Sequence, residues 1–351
     1  MSMKPTIKTA LDLYCGSGAV TAGMKSAGFQ VIGAIDIDPI ACATYRANHP
    51  EVNLIEEDIK TVSPKRFVND LKGSLDLLAV CAPCQPFSNR NRHKCNKDQR
   101  SKLVLEALVF VEELKPKLVF FENVPGLGRQ PVFKELAGRL VSLGYHLSPL
   151  KKIDAADMGV PQRRQRMILV GARDSDLLKE ASKISFSKRQ TVFDVIGNLP
   201  SPPVGIKNIE NDALHYSRRH SAITVERLQH IQHDGGSRDE LPEKLQLRCH
   251  QDLSKNSFPD SYGRLKWRDV APTLTTGCTD LTKGRYAHPE EDRAITLREA
   301  ARLQTFPDDY VFVGNASQIA TQIGNAVPPK MMHVIAKTLY SALSDNISAT
   351  L

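Results

Sequence analysis

The stretch that decides the fold is residues 7–36, IKTALDLYCGSGAVTAGMKSAGFQVIGAID. It opens with an apolar run that predicts a strand, and this run ends in a glycine-rich turn, GSG at residues 16–18. Residues 19–27 follow with the composition of a helix, and a second apolar run over 29–35 predicts a strand that stops at Asp36. Two strands joined through a helix are parallel, because a parallel pair needs a crossover connection of this kind.

The same alternation continues through the first half of the chain. Further helices are predicted over 39–48 and 102–114, and further strands over 75–80, 117–121 and 167–170. Strands that alternate with helices are typical of an α/β fold whose sheet is covered on both faces. We therefore expect a doubly wound, mostly parallel sheet.

The character of the sequence changes near Ser187. From there to about Asp292 it is rich in Pro, Asn, Ser, Gly, His and Arg, and helical periodicity is weak outside 222–231. Clear helical patterns return at 296–303 and at 331–343. We expect two domains, a larger one from residues 1–188 plus 294–351 and a smaller, loop-rich one from residues 189–293.

Composition and charge narrow the class of protein. The seven cysteines are odd in number and scattered, which fits free thiols in a reducing compartment better than a set of disulfides. No apolar stretch is long enough to span a bilayer and the N-terminus lacks the apolar core of a signal peptide, so we expect a cytoplasmic protein with no membrane partner. A formal net charge of +8 suits a polyanionic partner, because lysines and arginines that neutralise phosphates release counterions.

The glycine-rich turn and the acids beyond it predict a nucleotide site that does not bind phosphate. Gly16 and Gly18 let the backbone turn sharply, but the third glycine of the dinucleotide-binding pattern is missing. Asp36 lies about 20 residues beyond the turn, where a carboxylate accepts the hydroxyls of a ribose. Asp58 follows another short apolar stretch and can accept an adenine amino group. This combination favours S-adenosylmethionine, whose sulfonium is cationic; an NAD-dependent dehydrogenase is the alternative.

A cysteine between two prolines follows directly on a predicted strand. Residues 82–88, APCQPFS, place Cys84 just beyond the strand at 75–80, at the edge where open α/β sheets form their ligand crevice. Cysteine attacks as a thiolate, so it needs help from its surroundings. The next strand ends at Glu122, and neighbouring strands bring both side chains to the same edge. Cys84 and Glu122 are therefore a candidate nucleophile and a candidate acid.

Two further patterns lie near this edge. If the run at residues 161–166, PQRRQR, is extended, Arg164 and Arg166 point the same way and can bind an oxygen or a phosphate, although a solvated basic edge is the commoner role of such a run. A zinc site or redox pair is the alternative use of Cys81, Cys84, His93 and Cys95. No second CxxC completes that set, so we expect no metal.

Several separate motifs, taken in order, carry a family resemblance. DLYCGSG at 12–18, PCQ at 83–85, ENV at 122–124, QRRQR at 162–166 and QIGNAVP at 322–328 resemble the motifs of the DNA cytosine-5 methyltransferases of the bacterial restriction–modification type. Tyr14 stands where this family usually has Phe, and Asp36 stands where most members carry Glu. The resemblance covers nearly the whole chain except most of residues 187–260, the interval that in this family is the variable target-recognition region.

The resemblance implies a fold, an activity and a mechanism. The larger domain has the fold of the S-adenosylmethionine-dependent methyltransferases and binds the cofactor, and residues 189–293 form a target-recognition domain. A cytosine in a specific short site of duplex DNA is flipped out of the helix. The thiolate of Cys84 attacks carbon 6 of the base, Glu122 acts at ring nitrogen 3, and carbon 5 takes the methyl group. Arg164 and Arg166 bind the cytosine carbonyl oxygen and a nearby phosphate, and orient Glu122.

The motifs also imply binding residues. For the cofactor these are Tyr14, Gly16, Gly18, Asp36, Ile37, Asp58, Ile59, Pro83 and Asn325. For DNA they are Ser88, Arg90, Arg92, Thr273 and Thr275. The expected partners are double-stranded DNA and a cognate restriction endonuclease that acts separately, and the enzyme is expected to be a monomer.

Two alternatives to a DNA-modifying enzyme stay open at this point. A tRNA-modifying branch shares the Cys and Glu motifs, but it carries Cys-Phe-Thr in its second domain, where residues 277–279 are Gly-Cys-Thr. An inactive DNA-binding protein that keeps the fold is the other alternative. Loss of Cys84 or Glu122 would indicate such a protein, and both residues are present.

Overall fold

A computed structural model of the protein describes residues 7–71, 74–83, 102–205, 212–247 and 260–348. The chain divides into two compact units. Unit 1 is drawn from residues 1–158, 165–187 and 327–351, and unit 2 from residues 159–164 and 188–326. Among the described residues, no helix combines the length and the apolar character that crossing a membrane requires.

Unit 1 is built on one sheet of eight strands. The strands are β1 (Thr9–Leu13), β2 (Gln30–Asp36), β3 (Asn53–Glu56), β4 (Leu77–Val80), β5 (Leu118–Asn123), β6 (His146–Leu147), β7 (Lys151–Asp154) and β8 (Gln165–Ala172). Their order is β3-β2-β1-β4-β5-β8-β6, and β7 also pairs with β8. The five strands from β3 to β5 are parallel, so the predicted mostly parallel sheet is confirmed.

Helices cover this sheet, and the first two begin at the predicted residues, Ala19 and Pro39. They are α1 (Ala19–Ser26), α2 (Pro39–Asn48), α3 (Leu103–Leu114), α4 (Pro131–Ser142), α5 (Ser175–Ala181) and a last helix (Pro329–Ser348), here called α10. The side chain of Asp38 caps α2 by accepting from the amides of Ile40 and Ala41, and Pro39 occupies the first turn. Short 3₁₀ turns lie at Pro64–Asp70, Leu127–Arg129 and Ala155–Asp157.

The strand order reverses between β1 and β4, and this reversal positions the site. The chain runs from β1 outward to β3, then returns to β4 on the other side of β1. In an open α/β sheet, ligands bind outside the carboxyl ends of the strands at such a switch point. The carboxyl ends of β1 and β4 therefore both lie at that crevice.

Strand β8 differs from the expectation of a parallel member. It runs antiparallel to β5, with Leu118 opposite Ala172 and Asn123 opposite Met167. The reason is its connection: α4, β6 and β7 lie between β5 and β8 and bring the chain back in the opposite direction. The two short strands were not predicted, since strands of two and four residues are too short to show a period. Helix α4 was also not predicted, although Phe133, Leu136 and Leu140 stand at helical spacing.

The end of the chain packs on the beginning. Helices α1 and α10 lie against each other in unit 1, in agreement with the family resemblance. The contact is close at Gly23, where an added Cβ would lie 2.6 Å from the Cβ of Met332. Gly23 is therefore required for this approach rather than for a turn.

Unit 2 contains α6 (Val192–Ile196), α7 (Ala222–Gln229), α8 (Leu297–Leu303) and α9 (Ala316–Asn325), with 3₁₀ turns at Arg238–Glu240 and Glu243–Leu245. A small apolar core includes Leu228, Ile231 and Tyr262. Arg264 is fully buried beside it and donates to the backbone carbonyls of Leu228, Ile231, His288 and Glu291. One buried guanidinium thus supplies hydrogen bonds to the carbonyl oxygens of several loops.

The units differ from the predicted domains in two segments. Residues 159–164 and 294–326 group with unit 2, whereas we expected both in the larger domain. The contacts give the reason: Thr296 hydrogen-bonds His215, Arg298 pairs with Asp212, and Gln304 accepts from Gln162. These side chains attach α8 to the loop-rich part of the chain.

Candidate active site

The loop after β1, residues 14–18, has the backbone that a closely approaching ligand requires. We call it the cofactor loop. Tyr14, Gly16 and Gly18 have φ angles of 62°, 52° and 90°, all in the left-handed region. A Cβ added to Gly16 would meet no atom within 4 Å, so the space beside this residue is open. The loop then enters α1, whose N-cap Gly18 offers no side chain to the first amide groups of the helix.

Asp36 at the end of β2 holds this loop and keeps capacity for a ligand. One carboxylate oxygen accepts from the amide of Gly16 at 2.8 Å and the other from the amide of Asp38 at 2.9 Å. Burial raises the pKa of Asp36, while these amide hydrogen bonds oppose the rise. A carboxylate has about four lone-pair positions, so acceptor capacity remains for a ribose hydroxyl.

The neighbouring side chains suit an adenine. Ile37 is 64% exposed directly after Asp36, which offers an apolar surface to a flat ring. Asp58 is half-buried and accepts from the amide of Lys60 at 3.1 Å, and Ile59 is buried beside it. Because the acids in this set repel phosphate and attract cations, the residues fit an adenosine group that carries a positive charge and no phosphate.

An acid and an arginine meet at the carboxyl end of β5. Glu122 is only 6% exposed, and its Oε1 lies 2.8 Å from Nε of Arg166 on the adjacent strand β8. The ion pair is largely shielded from solvent, since the Arg166 side chain is only 13% exposed. A guanidinium stays charged at all working pH values, so it fixes the orientation of the carboxylate.

The chain that leaves β4 is hydrogen-bonded to the same end of β5. Nδ2 of Asn123 donates to the carbonyl oxygen of Ala82 at 2.9 Å, so the chain leaving β4 is held beside the acid. Burial raises the pKa of the Cys81 thiol far above its usual range, and the charges of Glu122 and Asp12 add to this effect. Cys81 therefore stays a thiol. Pro83 is exposed and is the last residue described before Cys84.

Several predicted residues lie outside the described residues. These are Cys84, Ser88, Arg90 and Arg92, together with His93 and Cys95 of the zinc alternative. Asn325 is described; it is the last residue of α9 in unit 2 and is exposed to solvent.

The arginine motif is divided between the two units. Strand β8 begins at Gln165, so Arg166 lies on the strand, whereas Arg164 precedes it and belongs to unit 2. Arg164 is buried and donates to the carbonyl oxygens of Leu274 and Gly324, each at 3.0 Å. We expected Arg164 and Arg166 to point the same way if the run is extended; the strand begins only at Gln165, and the two side chains have different partners.

The two threonines expected to contact DNA make internal hydrogen bonds in unit 2. Oγ1 of Thr273 donates to the carbonyl of Arg163 at 2.7 Å, and Oγ1 of Thr275 lies 3.0 Å from the hydroxyl of Tyr286. With the Arg164–Leu274 bond, these contacts fix residues 273–275 from three directions.

Sequence reasoning missed a buried polar chain beneath the cofactor loop. Asp12 has no exposed surface and accepts from Thr21 at 2.8 Å, and the Tyr45 hydroxyl lies 2.8 Å from that of Thr21. Nε2 of His49 donates to the carbonyl of Gly18 at 3.1 Å. An acid at the end of an otherwise apolar run was the signal that could have revealed this network.

Comparisons with known proteins identify the family of the chain. Residues 8–341 match the family model described as C-5 cytosine-specific DNA methylase. The chain is 36% identical over 342 residues to the Type II methylase M.HgiDII of Herpetosiphon aurantiacus, covering 95% of each protein. It is 33% identical over 359 residues to the Type II methyltransferase M.PspPI of Psychrobacter sp. (strain TA137), covering 98% of this chain and 82% of that protein.

Solved structures show the same fold. One is described as a DNA modification methyltransferase encoded within an Escherichia coli prophage; it matches with a TM-score of 0.74 at 24% identity, covering 96% of this chain and 99% of that chain. Another is the Dnmt2 methyltransferase of S. pombe, with a TM-score of 0.64 at 19% identity, covering 97% and 99%. The predicted methyltransferase fold is confirmed.

The family match spans both units and includes every motif on which the resemblance rests. It excludes the dehydrogenase alternative and favours DNA over RNA as the substrate. The chain belongs to the C-5 cytosine-specific DNA methylase family and is a DNA cytosine-5 methyltransferase.

Proposed function

We propose that this enzyme transfers the methyl group of S-adenosylmethionine to carbon 5 of a cytosine flipped out of a specific short site in duplex DNA, through a covalent bond between Cys84 and carbon 6. One observation carries the proposal. The Glu122–Arg166 pair lies at the strand end where Asn123 also holds Ala82, two residues before Cys84. Two peptide units span at most about 7 Å, and this short chain length supports the proposal that the Cys84 thiol acts together with Glu122.

The cofactor residues have separate proposed roles. Asp36 accepts the ribose hydroxyls, Ile37 packs on the adenine, and Asp58 and Ile59 bind its amino edge. Pro83 and Asn325 complete the contacts that the family motifs assign. When bound, S-adenosylmethionine supplies an electrophilic methyl group on a positively charged sulfur. The carboxylates of the site favour that charge over the neutral product.

The chemical steps follow from the two side chains. The thiolate of Cys84 adds to carbon 6, and Glu122 shares a proton with ring nitrogen 3, so the ring's electron density rises at carbon 5. Carbon 5 takes the methyl group. A base then removes the proton from carbon 5, the carbon–sulfur bond breaks, and the thiolate leaves. A positioned acid of this kind contributes about 10²–10⁴-fold to the rate.

The two arginines have proposed roles beside Glu122 and the cytosine. Arg166 orients the Glu122 carboxylate through its ion pair. The family resemblance assigns the cytosine oxygen to Arg164, and its bond to Leu274 adds a second role, that of holding residues 273–275. All proposed catalytic residues come from one chain, so a monomer suffices.

DNA recognition is proposed for residues 189–293. Ser88, Arg90, Arg92, Thr273 and Thr275 are the proposed backbone contacts, which position a duplex without reading its sequence. Relatives that cover nearly the whole chain are named Type II methylases. We therefore place the enzyme in a restriction–modification system, where a separate endonuclease cuts the same site when it is unmethylated.

Trapping tests the covalent step. Duplex DNA that carries 5-fluorocytosine at the target should form a stable adduct with the wild type and with Cys81→Ala, because fluorine blocks the final proton removal. Cys84→Ala should form none. An adduct with Cys84→Ala would show that another residue is the nucleophile. Bisulfite sequencing of DNA methylated by the wild type then gives the target site.

A further inference from the structure

Tyr14 reaches from the cofactor loop to helix α3. Its hydroxyl donates a hydrogen bond to the carbonyl oxygen of Leu103, the first residue of that helix. Its ring packs, together with Leu105 of the same helix, against the hydrophobic core of unit 1. One side chain thus connects the loop after β1 with the first turn of α3.

The backbone of Tyr14 needs this support. Its φ of 62° lies in the left-handed region, which a bulky residue adopts only where its surroundings hold it. The core fixes the ring and Leu103 fixes the hydroxyl, so the side chain has two attachments. The path of the chain into Gly16 and Gly18 starts from this conformation.

The hydroxyl remains a donor under all working conditions. Burial raises the pKa of Tyr14 well above its usual value, and the negative charges of Glu106, Asp58 and Asp36 raise it further. Asp36 and Asp58 are the acids proposed for the ribose and the adenine, and Glu106 lies on α3. The Tyr14 side chain therefore lies within the electrostatic environment of the cofactor site.

We propose that Tyr14 is a positioning residue whose hydrogen bond to Leu103 keeps the cofactor loop and the start of α3 in the relative position that binds S-adenosylmethionine. This inference rests on the proposed cofactor. Replacement by phenylalanine is the sharpest change, since it keeps the ring in the core and removes only the donor.

Tyr145 provides a matched control at the other end of the same helix. Its hydroxyl is buried and donates to the carbonyl oxygen of Pro116 at 2.6 Å, two residues beyond the end of α3 at Leu114. Burial raises the pKa of Tyr145 to about 12, so it too remains a donor. Tyr14→Phe and Tyr145→Phe therefore each remove one tyrosine–carbonyl bond near one end of α3.

The experiment measures cofactor binding apart from catalysis. S-adenosylmethionine and S-adenosylhomocysteine are titrated by calorimetry into the full-length wild type and both variants without DNA, and unliganded thermal melting is recorded. Tyr14→Phe should weaken both ligands about two- to tenfold, the worth of one neutral hydrogen bond. Its KM for S-adenosylmethionine should rise by the same factor with little change in kcat. Tyr145→Phe should lower the melting temperature and leave both affinities unchanged.

The outcomes separate this inference from the proposed function. If the wild type binds the ligands and Tyr14→Phe binds them equally well, the inference is overturned and the proposed function stands. Equal weakening of ligand binding in both variants also overturns the inference, because the effect would then be general to α3. A wild type that binds neither ligand overturns the proposed function, and the inference with it.

Discussion

The Glu122 carboxylate is buried at a strand end, and its partner there is a guanidinium that holds its proton at any working pH. Such a pair orients the carboxylate, but it also uses one of its oxygens. The other carboxyl oxygen of Glu122 is therefore the one that can share a proton with a ring nitrogen of cytosine. Because sharing a proton requires a carboxyl group, the chemistry of Glu122, and not only its shape, is important for activity.

Glu122→Gln tests that point. We expect kcat to fall by about 10²–10⁴-fold, because an amide cannot act as the acid, while cofactor affinity stays near the wild-type value. Steady-state rates with tritiated S-adenosylmethionine and calorimetric titration measure the two effects. Glu112→Gln, on the exposed side of α3, is the control and should keep its activity. A Glu122→Gln enzyme as fast as the wild type would remove Glu122 from the mechanism.

Asp12 predicts a specific dependence of stability on pH. Burial raises the pKa of Asp12 from 3.8 to about 7, the hydrogen bond from Thr21 opposes this, and the charge of Asp36 adds to it. Because the pKa of Asp12 is raised in the folded state, its contribution to the free energy of unfolding is fully present below about pH 4. That contribution is lost as the pH rises through about 7. Above that range the carboxylate is ionised without water around it.

The change Asp12→Asn removes this titration and keeps an acceptor for Thr21. The wild type should lose stability relative to Asp12→Asn between about pH 4 and pH 7, by a few kcal/mol. Urea denaturation of both proteins at several pH values measures the difference. A difference that stays constant over this range would show that Asp12 does not titrate there.

At the scale of elements, the first turn of α8 in unit 2 is held by several hydrogen bonds and an ion pair. The amide of Glu299 donates to the Thr296 hydroxyl at 3.1 Å, and the Glu299 carboxylate accepts from the Thr296 amide at 2.7 Å. Arg293 pairs with the same carboxylate at 2.8 Å. Burial raises the pKa of Glu299, but the hydrogen bonds and charge of Arg293 outweigh this and lower it. The first turn of α8 therefore carries a stable negative charge, as a helix N-terminus favours.

Loss of the cap should be measurable. Thr296→Ala should lower the free energy of unfolding by about 1–2 kcal/mol, since it removes the capping hydroxyl and its bond to His215. Thr321→Ala in α9 is the matched control, because that hydroxyl bonds only back to Ser317 of its own helix and should matter little. Equal urea midpoints for the two variants would contradict the capping role.

At the scale of the whole molecule, we expect the net positive charge to contribute to the affinity for DNA. A formal net charge of +8 indicates that phosphate contacts contribute to binding through counterion release. The logarithm of the affinity should fall linearly with the logarithm of salt concentration; with six phosphates neutralised, the loss between about 50 and 200 mM is about 10³-fold. Fluorescence anisotropy with a duplex containing the target site measures the slope, and calorimetry of S-adenosylhomocysteine in the same buffers is the control. A DNA affinity independent of salt would contradict this account.

The predictions that succeeded depended on short stretches of chain. The start of α2 was predicted to the residue because Pro39 is favoured in the first turn of a helix. The carboxyl ends of β4 and β5 were predicted to be neighbours, and they pair from Leu77–Leu118 to Val80–Phe121. The direction of β8 was not, because nothing local distinguishes a parallel from an antiparallel strand buried on both faces.

The sequence by itself determined the alternation of strands and helices, the cofactor loop and the family, because these depend on residue types at fixed spacing along the chain. Tertiary structure decided that Arg166 pairs with Glu122 while Arg164 holds Leu274 and Gly324. It also decided that α8 belongs with unit 2 and that Asp12 is buried. The physical reason is that a side chain's partner, its burial and therefore its pKa depend on distant segments packed around it, which spacing in the sequence does not specify.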